Sequence, residues 1–292
     1  MRLHAVLDFI DRQGWLDRLG ERLQRELVRA FAAGGPQGRR VRDLLHGTWL
    51  GHPLHPALTD VPLGAWTAAL VLDLLGGLTG RPTFGRGADT AVALGLAGAL
   101  GAAATGLTDW QHLAARPRRV GLLHGLLNVG ATGLYGLSLL LRRRAARATG
   151  CRVAILGYAT AVVAAYLGGE LVYRERVGVS HVAGQVPPRE FVPVLPTVEL
   201  YEERPRRVQA GGMAVLLVRR GDRFYALAET CSHLGGPLAE GRLEGNSVIC
   251  PWHGSRFALA DGRVLEGPAV FPQPCLETRI RDGWIEVRAA ER

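Results

Sequence analysis

Two short boxes near the C-terminus contain residue types that bind transition metals. The first reads Cys-Ser-His from Cys231 to His233, and the second reads Cys-Pro-Trp-His from Cys250 to His253. Sixteen residues separate the boxes. Two thiolates and two imidazoles on two short loops can close around one binuclear [2Fe-2S] cluster, which would make the chain a one-electron carrier. A single structural zinc ion takes the same ligand types and is the alternative.

The residues around the boxes resemble those of Rieske iron-sulfur proteins. Gly235-Gly236-Pro237 follows the first box, and Gly254-Ser255 follows the second. Gly267-Pro268-Ala269 comes where Rieske domains place a proline loop over the cluster. Zinc would not need these flanks, so the cluster is favoured. The resemblance implies that the cysteines hold the inner iron and the histidines the outer iron, through Cys231, Cys250, His233 and His253.

Two substitutions relative to high-potential Rieske proteins bear on the reduction potential. Those proteins resemble this chain but brace the loops with a disulfide, and Gly236 and Trp252 occupy the corresponding positions here. They also use a serine and a tyrosine near the sulfurs, where this chain has Ser255 and Phe257. We therefore expect a ferredoxin-like, low-to-middle potential. Phe257 reads equally well as an ordinary core aromatic.

Residues 192–287 are patterned as an all-β domain. Short apolar segments are separated by hairpin signals, including Gly221-Asp222, Asp261-Gly262 and Asp282-Gly283. The predicted strands are residues 213–218, 224–227, 247–250, 256–259, 276–280 and 284–287. The two metal-binding boxes fall between strands, so the ligand loops would project from one end of the domain.

Four apolar runs precede this domain. They are residues 57–78, 90–108, 120–141 and 153–172. Each is close to the roughly 20 residues that a helix needs to cross a bilayer. The sequence therefore predicts an all-α four-helix transmembrane bundle followed by an all-β Rieske domain. Asp73 lies near the far end of the first run, where we expect a solvated side chain, with a proton path as the alternative.

Small residues recur at helical spacing in the second and third runs. They are Gly98, Ala102, Gly106, Gly121, Gly125 and Gly133. In lipid, small residues let helices approach closely and so hold a bundle together. The alternative is that they reflect general composition, since the chain has 39 glycines.

The first 33 residues form a basic amphipathic pattern. Apolar residues recur at helical spacing from Leu3 to Phe31, arginines fill many polar positions, and Gly34-Gly35-Pro36 ends the pattern. Such a helix either lies on an anionic membrane surface or packs on its own domain. The net charge of +9 fits the membrane surface better than nucleic acid, for which no motif is found.

The membrane segment has motifs of its own. Gly-His-Pro-Leu-His-Pro at residues 51–56 and Thr-Asp-Val-Pro-Leu-Gly-Ala-Trp at residues 59–66 resemble a family of small bacterial four-helix membrane domains of unknown function. The resemblance covers roughly residues 45–180 and implies no activity.

Ionisable residues gather at one end of the predicted bundle, on the side of the chain termini. As a candidate second redox site we consider His52, His55, Asp60, Asp109, His112, His124 and Glu170, with His181 nearby. Four interpretations compete: interfacial capping, a quinone site, a haem held by two of His52, His55 and His124, and a non-haem metal. Asn128 shares a helix face with His124 and could orient it.

Four spans place both termini on one side of the membrane. All 35 cationic residues are arginine and are nearly balanced between the two ends of the spans, so the positive-inside rule does not decide the orientation. The N-terminus has neither an apolar signal segment nor a twin-arginine pair. We therefore expect an inner-membrane protein with both termini and the Rieske domain in the cytoplasm.

The predicted organisation has four parts. They are an amphipathic segment (1–50), the membrane bundle (51–175), a linker (176–195) and the Rieske domain (196–290). Cys151 and Cys275 are expected to be free thiols, and His4 and His46 surface residues.

These features favour an electron-transfer function. The expected protein carries single electrons between a cytoplasmic redox protein and a membrane carrier or partner complex. The alternatives are a quinone- or haem-dependent membrane oxidoreductase and a redox sensor. Only five residues follow Val287, so the chain is not expected to form a complete ring-hydroxylating dioxygenase.

Overall fold

The structure is a computed structural model that describes residue 10 and residues 12–290. It divides into two compact units, which are described separately. The helical unit comprises the described residues up to Arg39 together with Leu54–Val177. The β unit comprises Arg40–Pro53 and Gly178 onward. Residues 40–53, which the sequence pattern attached to the N-terminal segment and the start of the bundle, therefore group with the β-domain.

Four long helices dominate the helical unit. They follow α1 (Gly14–Ala33) and α2 (Gly35–His46), of which α2 runs on from the helical unit into the β unit at Arg40. The four are α3 (Leu54–Thr79), α4 (Pro82–Trp110), α5 (Ala115–Arg143) and α6 (Arg147–Tyr173). Helices α3 to α6 are each long and apolar enough to cross a membrane, and each contains one of the predicted runs. The four predicted spans are thus confirmed as candidate spans. The helices pack mainly as two hairpins, α3 with α4 and α5 with α6.

Local sequence explains where these helices begin and end. Gly80, with φ +66°, follows α3 in the left-handed region that glycine tolerates best. Pro82 then begins α4, where a missing N–H costs no helical hydrogen bond. At the N-terminus, residues 34–36 interrupt the helical pattern as predicted, but a second helix starts at Gly35. Leu3, His4 and the first apolar residues of that pattern lie outside the described residues.

Close helix approach depends on some of the predicted small residues. A Cβ at Gly98 would lie 2.6 Å from Cγ1 of Val61, and one at Gly121 would lie 2.5 Å from Cδ1 of Trp110. Gly125 and Gly133 have open space instead. The interior between the hairpins is filled by Trp66 of α3, which stacks on Tyr135 of α5 with ring centroids 4.1 Å apart.

An ion-pair network ties all four long helices together at the end remote from His55. Arg142 of α5 binds both carboxylate oxygens of Asp73 and lies 3.1 Å from Asp89 Oδ1. Arg147 of α6 lies 3.1 Å from Asp73 and 3.0 Å from Asp89. The Arg142 side chain is 0% exposed and that of Asp73 is 10% exposed. The prediction that the Asp73 side chain is solvated was therefore wrong, because arginines from two other helices enclose it.

The β unit contains ten strands in the described part of the chain. They are β1 (Val192–Pro196), β2 (Arg206–Ala210), β3 (Met213–Arg220), β4 (Arg223–Ala228), β5 (Arg242–Glu244), β6 (Ser247–Ile249), β7 (Arg256–Ala258), β8 (Val264–Glu266), β9 (Cys275–Arg281) and β10 (Trp284–Ala289). A six-stranded antiparallel sheet has the order β1-β10-β9-β4-β3-β2, and a four-stranded antiparallel sheet has the order β5-β6-β7-β8. Every predicted strand is present. The predicted all-β domain is confirmed.

Candidate functional site

Two loops with matching backbone geometry carry the four predicted ligands. The first joins β4 to a 3₁₀ turn (Leu238–Glu240) and bears Cys231 and His233, and the second joins β6 to β7 and bears Cys250 and His253. The N–H of Cys231 donates to the carbonyl of Gly236, and that of Cys250 donates to the carbonyl of Ser255, both at 2.8 Å.

A second pair of matching bonds closes each loop. The N–H of Gly235 donates to the Cys231 carbonyl at 2.9 Å, and that of Gly254 donates to the Cys250 carbonyl at 3.1 Å. Both glycines have positive φ, +82° and +77°, which residues with a Cβ rarely adopt. The glycine four residues after each cysteine therefore fixes the turn that presents the cysteine and histidine side chains.

The two cysteine side chains face each other in the interior. Cys231 and Cys250 are buried, and their thiols are hydrogen-bonded. That bond lowers the pKa of Cys250 to about 7, and the same bond, with burial, raises the pKa of Cys231 well above its usual range. Backbone N–H groups of the residues that follow also point at each sulfur. Such donors stabilise thiolate charge, which metal ligation requires.

The two imidazoles form the second facing pair. The ring centroids of His233 and His253 are 5.1 Å apart and the rings are nearly perpendicular. Burial lowers the pKa of His253, and burial followed by the neighbouring imidazoles lowers that of His233 well below its usual range. Both rings are therefore neutral at pH 7, which is the form that binds metal.

The arrangement fits a binuclear cluster better than a single ion. Among residue 10 and residues 12–290, no three His, Cys, Asp or Glu side chains stand close enough together to hold one ion. The four predicted ligands instead form a sulfur pair and an imidazole pair, as a cluster with two irons takes them. A Cβ at Gly236 would lie 2.8 Å from Sγ of Cys250, so glycine keeps the space beside the sulfur open.

Comparison with known proteins agrees with this geometry. Residues 190–277 match the family model described as the Rieske [2Fe-2S] domain, and residues 51–181 match that of a predicted membrane protein, DUF2231. Ferredoxin CarAc of Metapseudomonas resinovorans is 36% identical over 88 residues, which are 30% of this chain and 82% of that protein. The chain belongs to the Rieske [2Fe-2S] family. The suspected fusion of a Rieske domain with a membrane domain is thereby confirmed.

Two further relatives each match about a third of the chain. The anthranilate 1,2-dioxygenase ferredoxin subunit of Burkholderia cepacia is 32% identical over 34% of this chain and 91% of its own length. Among solved structures, the ferredoxin of carbazole 1,9a-dioxygenase from Nocardioides aromaticivorans is 27% identical, with a TM-score of 0.33, over 34% of this chain and 98% of that one.

The Rieske domain has no disulfide across its cluster loops. All four cysteines of the chain are free, as predicted for Cys151 and Cys275. Gly236 and Trp252, which stand where the braced proteins have cysteines, pack against each other. Phe257 is fully buried in the domain core, as its alternative interpretation predicted.

The proline loop of the Rieske domain is bonded to both cluster loops. Ser255 Oγ accepts a hydrogen bond from the N–H of Ala269 at 3.0 Å, and the Ser232 hydroxyl donates to the carbonyl of Phe271 at 2.7 Å. Gln273 donates to the carbonyls of Ala228 and Thr230. Sequence reasoning had singled out Ser255 but missed Ser232 and Gln273, because a polar residue in a loop does not reveal its partner.

Residues 40–53 pack on the same proline loop, which the sequence did not predict. The N–H of Gly267 donates to Asp43 Oδ1 at 3.2 Å. A Cβ at Gly267 would also lie 3.1 Å from Cγ2 of Thr48 and 3.4 Å from Cδ2 of His46. His46 is 1% exposed, so its expected surface position was wrong. Burial raises the pKa of Asp43.

Two histidines assigned to the bundle mouth belong to the β unit. His52 lies edge-on to Phe271 of the proline loop, with ring centroids 6.5 Å apart. His181 donates its backbone N–H to the carbonyl of Ser232 in the first cluster loop. Both histidines therefore group with the β unit, which their distance from a span in the sequence does not reveal.

The remaining predicted residues lie in the helical unit. His55 of α3 and His124 of α5 face each other, with ring centroids 6.3 Å apart. Glu170 accepts a hydrogen bond from the Tyr166 hydroxyl at 3.0 Å and pairs with Arg174 at 3.8 Å. Asp60 is exposed, and Asp109 and His112 lie where α4 ends.

Proposed function

We propose that this chain is a membrane-anchored Rieske protein that carries single electrons between a redox partner protein and a membrane carrier or partner complex. One observation carries the proposal: two loops of a Rieske domain hold a buried pair of cysteines and a pair of imidazoles 5.1 Å apart, and the same chain supplies four candidate spans. Electron transfer is the chemistry that such a cluster supplies.

In this proposal the four loop residues hold the cluster. Cys231 and Cys250 bind one iron, and His233 and His253 bind the other. The backbone N–H groups of the two loops stabilise the sulfur charge, and the absence of a cysteine at Gly236 and Trp252 leaves the loops braced by hydrogen bonds alone. The half-buried imidazoles give the electron its exit toward a partner.

The partner is a redox protein. Support comes from the relatives, which include a ferredoxin named as a subunit of a dioxygenase and which match this chain over most of their own length. A donor or acceptor that docks on the cluster loops would meet the exposed indole of Trp252 beside His253. Aromatic side chains are enriched where proteins dock on one another.

We also place the protein in the inner membrane with the Rieske domain in the cytoplasm. The family match to a predicted membrane protein and the four apolar helices support residence in a bilayer. A C-terminal fusion to green fluorescent protein, compared with a fusion to alkaline phosphatase, tests the orientation. Fluorescence without phosphatase activity is expected, and the reverse would refute it.

Electron paramagnetic resonance of the dithionite-reduced full chain in detergent tests the function. A Rieske signal is expected in the wild type and in Cys275→Ser, and is expected to be lost in Cys231→Ser and His253→Ala. The reduced wild type should then be reoxidised by a quinone in liposomes or by a ferredoxin-dependent oxygenase over many turnovers. Iron without a Rieske signal, or a cluster that reacts once with oxidant and does not turn over, would overturn the proposal, and the latter would favour a redox sensor.

A further inference from the structure

Residues 40–53 of the β unit have two different sides. One side contacts the proline loop through Asp43, His46 and Thr48. The other side is apolar and open, and its four large side chains are each between 47% and 63% exposed: Val41, Leu44, Trp49 and Leu50. These four residues are called the apolar side below. Within α2, Val41 and Leu44 are three residues apart, so they share a helix face, and that face lies opposite the one that carries Asp43 and His46.

A tight turn fixes the tryptophan of the apolar side at the end of α2. Gly47, with φ +87°, follows the helix, and a 3₁₀ turn (Thr48–Leu50) comes next. The indole Nε1 of Trp49 donates to the carbonyl of Leu44 at 3.2 Å. The Thr48 hydroxyl donates to the carbonyl of Asp43 at 2.9 Å. These two bonds hold the turn on the helix, so that the exposed indole continues the face of Val41 and Leu44.

The apolar side immediately precedes a candidate span in the chain. Helix α3 begins at Leu54, four residues after Leu50. Four fully extended residues reach at most about 14 Å. The polar interface on either side of the hydrocarbon core of a bilayer is about 5 to 8 Å thick. Connectivity alone therefore keeps Trp49 and Leu50 at the level of the bilayer surface that α3 enters.

We propose that the apolar side inserts into the interface of the bilayer and holds the Rieske unit against the membrane surface. This inference rests on the membrane residence that the proposed function assumes. Tryptophan is enriched at membrane interfaces, because its ring is apolar and its N–H is polar. An apolar helix face of this kind is buried about 5 to 10 Å into the boundary between headgroups and acyl chains. Arg40 is exposed one turn before Leu44, and its long side chain can extend to the lipid phosphates.

The lipid contact and the cluster site then share one short segment. Asp43 accepts the N–H of Gly267 in the proline loop, and the proline loop is bonded through Ala269 to Ser255 of the second cluster loop. Because Val41 and Leu44 face the other way, lipid contact leaves these bonds intact. The cluster loops are therefore held near the bilayer surface through residues 40–53, rather than moving freely at the end of the linker that follows α6.

Tryptophan fluorescence of the full chain in liposomes tests this contact. The emission of Trp49 is obtained as the difference between the wild type and Trp49→Phe. It is expected to be lost in phosphatidylcholine that is brominated near the head of the acyl chain, and to be lost less in phosphatidylcholine brominated at the chain end. Iodide added to the water should leave it unchanged. Trp284→Phe gives the matched control, because Trp284 is an exposed tryptophan of β10, at 45%, whose emission should respond to iodide and not to bromine.

Flotation of the liposomes and the Rieske signal are recorded on every sample, so that this inference and the proposed function fail separately. Protein that floats with an intact cluster, but whose Trp49 emission persists in brominated lipid and is quenched by iodide, has its apolar side in water and overturns the inference. Protection of Trp49 from both quenchers would mean that a second copy or a partner protein covers the apolar side, which also overturns it. Equal bromine quenching of Trp49 and Trp284 would do the same, because the contact would not be specific to residues 41–50. Protein that does not float refutes the membrane residence itself.

Discussion

Gly236 of the first cluster loop lies directly against Cys250 of the second. A Cβ at position 236 would be 2.8 Å from Sγ of Cys250 and 3.0 Å from the Trp252 ring. The two loops are therefore packed so closely that position 236 has room for the hydrogen atom of glycine beside the Cys250 sulfur, but not for a methyl group.

Gly236→Ala should therefore impair cluster assembly. The added methyl group must push the two loops apart, because the Cys250 sulfur and the Trp252 indole leave it no room. The expected result is a reduced yield of the Rieske resonance signal per chain. Gly212→Ala, in the β2–β3 turn with open space around it, is the matched control and should assemble normally. Equal signals from the two variants would contradict this packing argument.

Ser255→Ala should lower the reduction potential and loosen the proline loop. The serine oxygen accepts from the N–H of Ala269, which leaves its own proton to donate toward the cluster sulfurs. Loss of a hydrogen bond of about 1 kcal/mol corresponds to about 40 mV for one electron. Potentiometric titration measures the shift. Ser232→Ala, whose hydroxyl already donates to Phe271, should shift the potential less.

Arg142 and Arg147 share the same two aspartates but differ in burial. The Arg142 side chain is 0% exposed, and Arg142→Met removes its charge while Asp73 stays enclosed. This substitution should lower the free energy of unfolding by about 3 to 5 kcal/mol. Arg147→Met removes a partner that is 40% exposed and should cost about 0 to 1 kcal/mol. Thermal unfolding in detergent compares the two. A smaller loss for Arg142→Met than for Arg147→Met would refute the assigned role of burial.

Cys275 should resist alkylation near neutral pH. Burial, with a contribution from Asp261, raises its pKa to about 11. Only the thiolate reacts, so at pH 7.5 its rate should be about 100-fold below that of an ordinary thiol and should rise about tenfold per pH unit. Mass spectrometry of the iodoacetamide-treated folded chain measures this rate. In denaturant the same cysteine should react at the ordinary rate, and fast labelling of the folded chain would show that the thiol is accessible and unshifted.

Local pattern was sufficient for the elements and the cluster loops. The strands around Gly221 and the turn glycines at 235 and 254 follow from sequence spacing, because hairpins and tight loops depend on residues close in the chain. The apolar runs predicted the spans for the same reason.

Contacts between distant residues were not predictable. Asp43 and Gly267 are 224 residues apart, and nothing near either position indicates the other. Asp73 and His46 were predicted to be solvated, but their burial is decided by partners on other elements. The sequence did not show which histidines of the helical unit lie together, and the packing of the hairpins places the rings of His55 and His124 6.3 Å apart.

The hydrogen bond between Asp43 and Gly267 joins two segments of the β unit that are far apart in the sequence. The first segment, residues 40–53, is translated before the four long helices, and the second is translated after them. During synthesis, residues 40–53 therefore leave the ribosome before the proline loop that they contact has been made. A Rieske domain produced as a fragment beginning at Gly178 would lack that support, so the contacts of the proline loop are complete only in a chain that includes residues 40–53.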